Sequence, residues 1–91
     1  MEFLVEEGRI YGQNEQMNVF AEATYSPVRA GVVDIDHTYV DPSLRGQGVA
    51  GRLMEALAEE LRKRGLKAVA SCSYAEVWLE RNRGKYADII A

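Results

Sequence analysis

The segment Val40-Asp41-Pro42-Ser43-Leu44-Arg45-Gly46-Gln47-Gly48-Val49-Ala50-Gly51 joins an apolar, β-branched run to a long amphipathic run through a proline-started, glycine-rich turn. Glycine at positions 46 and 48 lets backbone N–H groups converge on an anion with no Cβ in the way. A helix beginning directly after the turn adds unpaired N–H groups and the positive end of its dipole. Arg45 stands at the mouth as a charge-assisted donor. Glycines alone would mark only a loop; glycines between a strand and a helix, with an arginine beside them, make an anion cradle.

Two well-known phosphate motifs fit this cradle poorly. A P-loop needs Gly-x-x-x-x-Gly-Lys-Ser/Thr, and the chain contains no Lys-Ser or Lys-Thr pair. Gly46, Gly48 and Gly51 satisfy the Gly-x-Gly-x-x-Gly of a dinucleotide fingerprint in form. That fingerprint belongs at the start of a larger doubly wound sheet, with an acidic residue closing the next strand. Here the next strand closes on Ser71-Cys72, and too little chain follows to build such a sheet.

With 91 residues the chain has room for one core, so a single domain over residues 1–91 is expected. A hydrophobic share of 47% beside 27% charged residues excludes a disordered chain. The net charge of −3 argues against a nucleic-acid partner, which requires a basic face. Arg62-Lys63-Arg64 and Lys67 are read as a solvated helix terminus, where cations suit the dipole. Met1-Glu2-Phe3-Leu4 lacks the form of a signal peptide, and no apolar run approaches a membrane span, so a cytoplasmic location and no membrane partner are expected. One cysteine, Cys72, agrees with a reducing compartment.

Working outward, residues 3–6 and 9–12 read as two strands about a tight turn at Glu7-Gly8. Residues 17–25 alternate as a third strand after a turn at Asn14-Glu15, and Ser26-Pro27 is expected to break it. Residues 32–40 are rich in β-branched side chains and give a fourth strand. From Gln47 to Arg64, Val49, Leu53, Leu57 and Leu61 recur every four residues, which predicts a helix covering one sheet face. Glu59 with Lys63 and Glu60 with Arg64 are i,i+4 pairs, and Gly65 is placed to cap the helix. Residues 66–71 form a fifth strand, set parallel to the fourth by a right-handed crossover. A second helix over 74–82 turns Val77, Trp78 and Tyr74 inward, and 84–91 is left as a tail. The predicted class is α+β, with a mixed, mostly antiparallel sheet in the order four strands, helix, strand, helix.

Arg45-x-x-Gly48-x-Ala50 after Val40 resembles the coenzyme A pyrophosphate signature of the GNAT superfamily of N-acetyltransferases, Arg/Gln-x-x-Gly-x-Gly/Ala. The order of elements is similar to the GNAT core, and the chain resembles very small GNAT-like proteins of about this length. His37-Thr38-Tyr39-Val40, the turn itself, and Cys72-Ser73-Tyr74 leading to Tyr86-Ala87-Asp88 carry that likeness. Such proteins have proline after the cysteine and His-Pro-Glu-Tyr near the C-terminus; this chain has Ser73 and Asn82-Arg83-Gly84-Lys85-Tyr86 instead. A role belonging to the replaced histidine does not carry over.

The resemblance implies acetyl-coenzyme A as cosubstrate, no metal, and transfer of its acetyl group to an amine acceptor, directly rather than through an enzyme thioester. Tyr39, Val40, Arg45, Gly46, Gln47, Gly48, Val49 and Ala50 would hold the cofactor, with a backbone N–H near Tyr39 or Val40 facing the oxyanion. Cys72 would sit beside the acetyl group, as a nucleophile or as a cofactor-adjacent thiol. Tyr74 and Tyr86 are candidates for protonating the departing thiolate, and equally for core or rim aromatics. His37, the one histidine, has the right intrinsic pKa for a general base; its alternation with Val33 and Ile35 also suits a partly buried structural residue.

The acceptor side is sparse, because Glu7-Gly8 leaves no room for the substrate-binding helices of full-sized GNAT domains. The acceptor reaches an open cleft, a second subunit of a homodimer completes the site, or there is none. Two readings therefore compete with the transferase: a non-catalytic acyl-coenzyme A binding module, and an interaction domain whose sheet edge takes a partner strand.

Overall fold

The computed structural model describes residues 2–91. Four strands form an antiparallel meander: β1 (Leu4–Glu6), β2 (Arg9–Gln13), β3 (Val19–Arg29) and β4 (Val32–Val40). A 3₁₀ turn at Pro42–Leu44 leads to helix α1 (Val49–Arg64), which crosses over to β5 (Lys67–Ala70), parallel to β4. Helices α2 (Ser73–Arg81) and α3 (Arg83–Tyr86) and a 3₁₀ turn at Ala87–Ile89 close the chain. The sheet order is β1-β2-β3-β4-β5, so the α+β class and the mostly antiparallel mixed sheet are as the sequence predicts.

One face of the sheet carries Ile10, Ala21, Ala23, Tyr25, Val33 and Ile35, and α1 buries Val49, Leu53, Met54, Leu57, Ala58 and Leu61 against it. The four-residue spacing in the sequence is therefore the helix stripe that meets the sheet. Gly65 ends α1 in the left-handed conformation at φ 71°, its N–H donating to Arg62 and Leu61 carbonyls. Glu60 pairs with Arg64 as expected, but Glu59 pairs with Arg62 rather than Lys63.

β3 runs on through Pro27 to Arg29, where the sequence suggested a break. β2 begins opposite Thr24, so beyond Tyr25 the strand has β4 alone as its ladder partner, and a residue lacking N–H is tolerated on that free side. At its start β3 begins at Val19 rather than Met17, because Met17 is held at φ 64° in a turn tied together by Asn14. In α2 the inward residues are Ala75, Trp78 and Leu79; Val77 and Tyr74 face outward.

Residues 84–91 are no loose tail. Tyr86 is 1% exposed, packs its ring on Trp78 at 5.3 Å, and sits with Ile89 in the core. Arg62, read from the sequence as solvated, anchors this segment: its Nε and Nη2 donate to the Asp88 carboxylate at 2.6 and 2.8 Å, and Nη2 also donates to the Lys85 carbonyl at 3.2 Å. The Ala91 N–H then donates to the Ala68 carbonyl at 2.9 Å, covering the outer side of β5. Tyr86→Ala should cost about 3–5 kcal/mol in urea unfolding, the range for emptying a buried aromatic site. A change below about 1 kcal/mol, as for a surface residue, would contradict this packing.

Candidate functional site

β4 and β5 pair for four residues, from Val32↔Lys67 to Ile35↔Ala70, and then part. The Cys72 N–H makes a last contact with the Ile35 carbonyl at 3.1 Å before the chain turns into α2. β4 continues to Val40 with β3 as its one partner, and a cleft of about 450 Å³ opens on the side β5 has left. Thr38, Tyr39 and Val40 form one wall, Leu44, Arg45 and Gly46 the turn, Gly48 to Gly51 the start of α1, and Tyr74 the far end.

The turn has the geometry its glycines imply. Gly46 and Gly48 lie at φ 83° and 78°, a region costly for residues with a Cβ. A Cβ placed on Gly46, Gly48 or Gly51 would meet nothing within 4 Å, so it would project into open space. Gly48 is the N-cap residue of α1, and no side chain caps the helix. The first N–H groups of α1 are thus directed at the cleft, as at an anion-binding helix terminus. Asp41 holds the turn in shape, accepting from the Ser43 N–H at 2.9 Å and the Ser43 hydroxyl at 2.8 Å. Those bonds keep the Asp41 carboxyl below the usual carboxylate range. Arg45 is exposed on the rim and makes no ion pair among the described residues. The residues present therefore fit a phosphate-bearing ligand.

Of the predicted cofactor residues, Tyr39, Val40, Arg45, Gly46, Gly48, Val49 and Ala50 line the cleft, and Gln47 does not. The Gln47 carboxamide instead donates to the Ser43 carbonyl at 3.3 Å. Thr38, Leu44 and Gly51 line it as well. Gly51 was visible in the sequence as the third glycine of the dinucleotide-like spacing, and Leu44 is the apolar residue that anchors the turn on the core.

At the inner end, the Thr38 hydroxyl lies 3.4 Å from the Cys72 sulfur, spanning the gap between the strands. Burial pushes the Cys72 thiol up, but hydrogen bonds from the Thr38 hydroxyl and from the amides of Ala75, Tyr74 and Thr38 outweigh it and hold the thiol below its ordinary value. Burial raises the Tyr74 phenol, against a smaller lowering by Arg81, so the phenol stays protonated at neutral pH. Tyr86 does not reach the cleft: its hydroxyl lies 3.3 Å from Glu59 Oε2, beneath α1.

His37 is placed otherwise than its alternation suggested. His37 pairs with Thr24 and Ile35 with Tyr25, which leaves Asp36 as an extra residue in β4. This bulge reverses the strand's facing, so Thr38 and Val40 follow Ile35 on the helix side and His37 turns to the other. There it is exposed, its Nε2 3.8 Å from Glu22 Oε1. That face is polar: Arg9 lies 3.8 Å over the Tyr11 ring and donates to Glu22, and Tyr11 donates to Glu6.

A family model described as GCN5-related N-acetyl-transferase matches residues 9–89. A GCN5-like protein from Staphylococcus aureus, solved in solution by NMR, is 38% identical, with 99% of this chain and 87% of that one covered and a TM-score of 0.79. Ribosomal-protein-alanine N-acetyltransferase from Brucella melitensis is 26% identical, with 84% and 51% covered and a TM-score of 0.63. Protein NATD1 of Gallus gallus and of Mus musculus is 33% identical over 58 residues, 64% of this chain and 53% of the relative. The chain thus spans about half the length of the curated relatives it matches. With the fold, the glycine turn and a family match over nearly all of its length, the chain belongs to the GCN5-related N-acetyltransferase family.

Proposed function

We propose that the protein is an acetyl-coenzyme A-dependent N-acetyltransferase acting on an amine acceptor. The observation that carries this reading is the cleft itself, where the N-terminus of α1, two left-handed glycines and the edge of β4 that β5 leaves free converge. Arg45 and the amides following Gly46 and Gly48 would hold the pyrophosphate. The free edge of β4 at Thr38–Val40 offers backbone groups to align the pantetheine arm and to face a developing oxyanion.

A bound acyl-coenzyme A supplies an activated acyl group whose leaving sulfur requires a proton. Tyr74, at the cleft's inner end with its phenol held protonated, is the donor in this reading. Cys72 serves as a thiol behind Thr38 at the acyl end, and transfer is direct. Tyr86 takes no part, since it lies in the core, and His37 lies away from the cofactor cleft on the open sheet face. The polar sheet face left open by the short Glu7-Gly8 turn is where an acceptor could approach the gap between β4 and β5.

Calorimetric titration with acetyl-coenzyme A, controlled with coenzyme A, ATP and NAD, should give selective binding. No binding would leave the interaction-domain reading as the better account, and binding without turnover on any amine would favour the non-catalytic module. Gly48→Glu should abolish binding, because it sets a side chain and a negative charge in the cradle at a strained φ; unchanged affinity would refute the site. Tyr74→Phe should lower kcat by on the order of a hundredfold while KM for acetyl-coenzyme A stays put, the signature of a lost proton donor. Equal kcat in the two proteins would exclude it from that role.

A further inference from the structure

Two carboxylates on the open sheet face bracket the point where β4 and β5 separate, and neither lines the cleft. Asp34 is the next-to-last β4 residue paired with β5. Its Oδ1 accepts from the Ser71 N–H at 2.6 Å and its Oδ2 from the Ser71 hydroxyl at 2.7 Å. Ser71 follows the last residue of β5 and precedes Cys72. Asp36 is the bulge residue: its Oδ1 accepts from the Thr24 hydroxyl at 2.5 Å and its Oδ2 from the Ser26 hydroxyl at 2.8 Å. One carboxylate therefore ties the end of β5 to β4, while the other ties the bulge of β4 to β3.

From these contacts we infer that Asp34 and Asp36 are positioning residues that set the gap between β4 and β5, and with it the placement of Thr38 and Cys72 at the acyl end of the cleft. A bulge left to its backbone would slip by a residue, and a one-residue slip exchanges the faces of Thr38 and His37. The Thr24 and Ser26 hydroxyls hold Asp36 on the open face and so fix Thr38 toward the cleft. An unclamped β5 end would fray at Ser71, because the nearest remaining ties to β4 are those of Cys72, its N–H to Ile35 and its sulfur to Thr38. Asp36 is kept ionised by the same two hydroxyls, first Thr24 and then Ser26, whose bonds lower its carboxyl.

This inference rests on the acyl-transfer reading for its catalytic consequence, but the clamp can be tested without turnover. Amide hydrogen exchange on the full chain should show Ser71 and Cys72 exchanging roughly tenfold faster in Asp34→Ala than in the wild type, with Leu53 and Leu57 of α1 unchanged. Unchanged exchange at Ser71 and Cys72 would overturn the clamp whatever the wild-type protein catalyses. In the transfer assay, Asp34→Ala and Asp36→Ala should each lower kcat roughly tenfold to a hundredfold while KM for acetyl-coenzyme A stays within about twofold, since the pyrophosphate cradle lies at the other end of the cleft. Asp34→Asn, which keeps an oxygen for the Ser71 N–H, should recover most of the loss. Parallel changes in kcat and KM that follow a drop in thermal stability, with no recovery in Asp34→Asn, would assign both residues a purely structural role. Absence of turnover in the wild type would count against the proposed function, and the exchange result would still decide the clamp.

Discussion

The parallel pairing of β4 with β5 is short, and the molecule is organised around where it stops. Parallel strands require a crossover, and the right-handed α1 returns the chain so that both strands end at the same edge. The helix between them starts at that edge too. The edge of β4 that β5 leaves free, the positive end of the α1 dipole and the start of α2 all meet there because of strand direction. In open parallel α/β sheets, ligand sites lie outside the carboxyl ends of the strands for the same reason.

The remainder of the chain keeps that junction rigid. α1 seals the sheet with a continuous apolar stripe, and the C-terminal segment fills the corner between α1 and β5 with Tyr86 and Ile89. A chain of this size buries only about 60–65% of its unfolded surface, so contributions from its last residues matter. Arg62 is the bracket, reaching from the end of α1 to Asp88 and over the Tyr86 ring. On the other sheet face polar side chains satisfy one another.

Local signals read well where one residue type answers one backbone requirement. Gly65 adopts the left-handed conformation its place at the helix end suggested, and Gly46 and Gly48 in the turn adopt it too. The helix stripe was legible because its period is independent of what it packs on. Pro27 misled, because whether a missing N–H matters depends on which neighbouring strand reaches that far. His37 misled for a related reason: strict alternation assumes no bulge, and the bulge at Asp36 is held by hydroxyls on another strand. Val77 and Trp78 are both apolar, and the direction of the core decided between them in favour of Trp78. The structure of residues 83–91 was not legible locally, because its short turns carry no clear period and their ordering comes from contacts with α1 and β5.

The amino-acid sequence by itself determined the order of the five strands, α1 and α2, the α+β class and the glycine turn, since each follows from periodicity or from conformations few residues can adopt. It also carried the family likeness, through Arg45, Gly48 and Ala50 at their fixed spacing. Tertiary structure alone decided which aromatic faces the cleft, on which face the histidine lies, and how Cys72 meets Thr38. Those outcomes depend on register between strands distant in sequence. Register is fixed by the sum of packing and hydrogen bonds across the sheet, which no local pattern encodes.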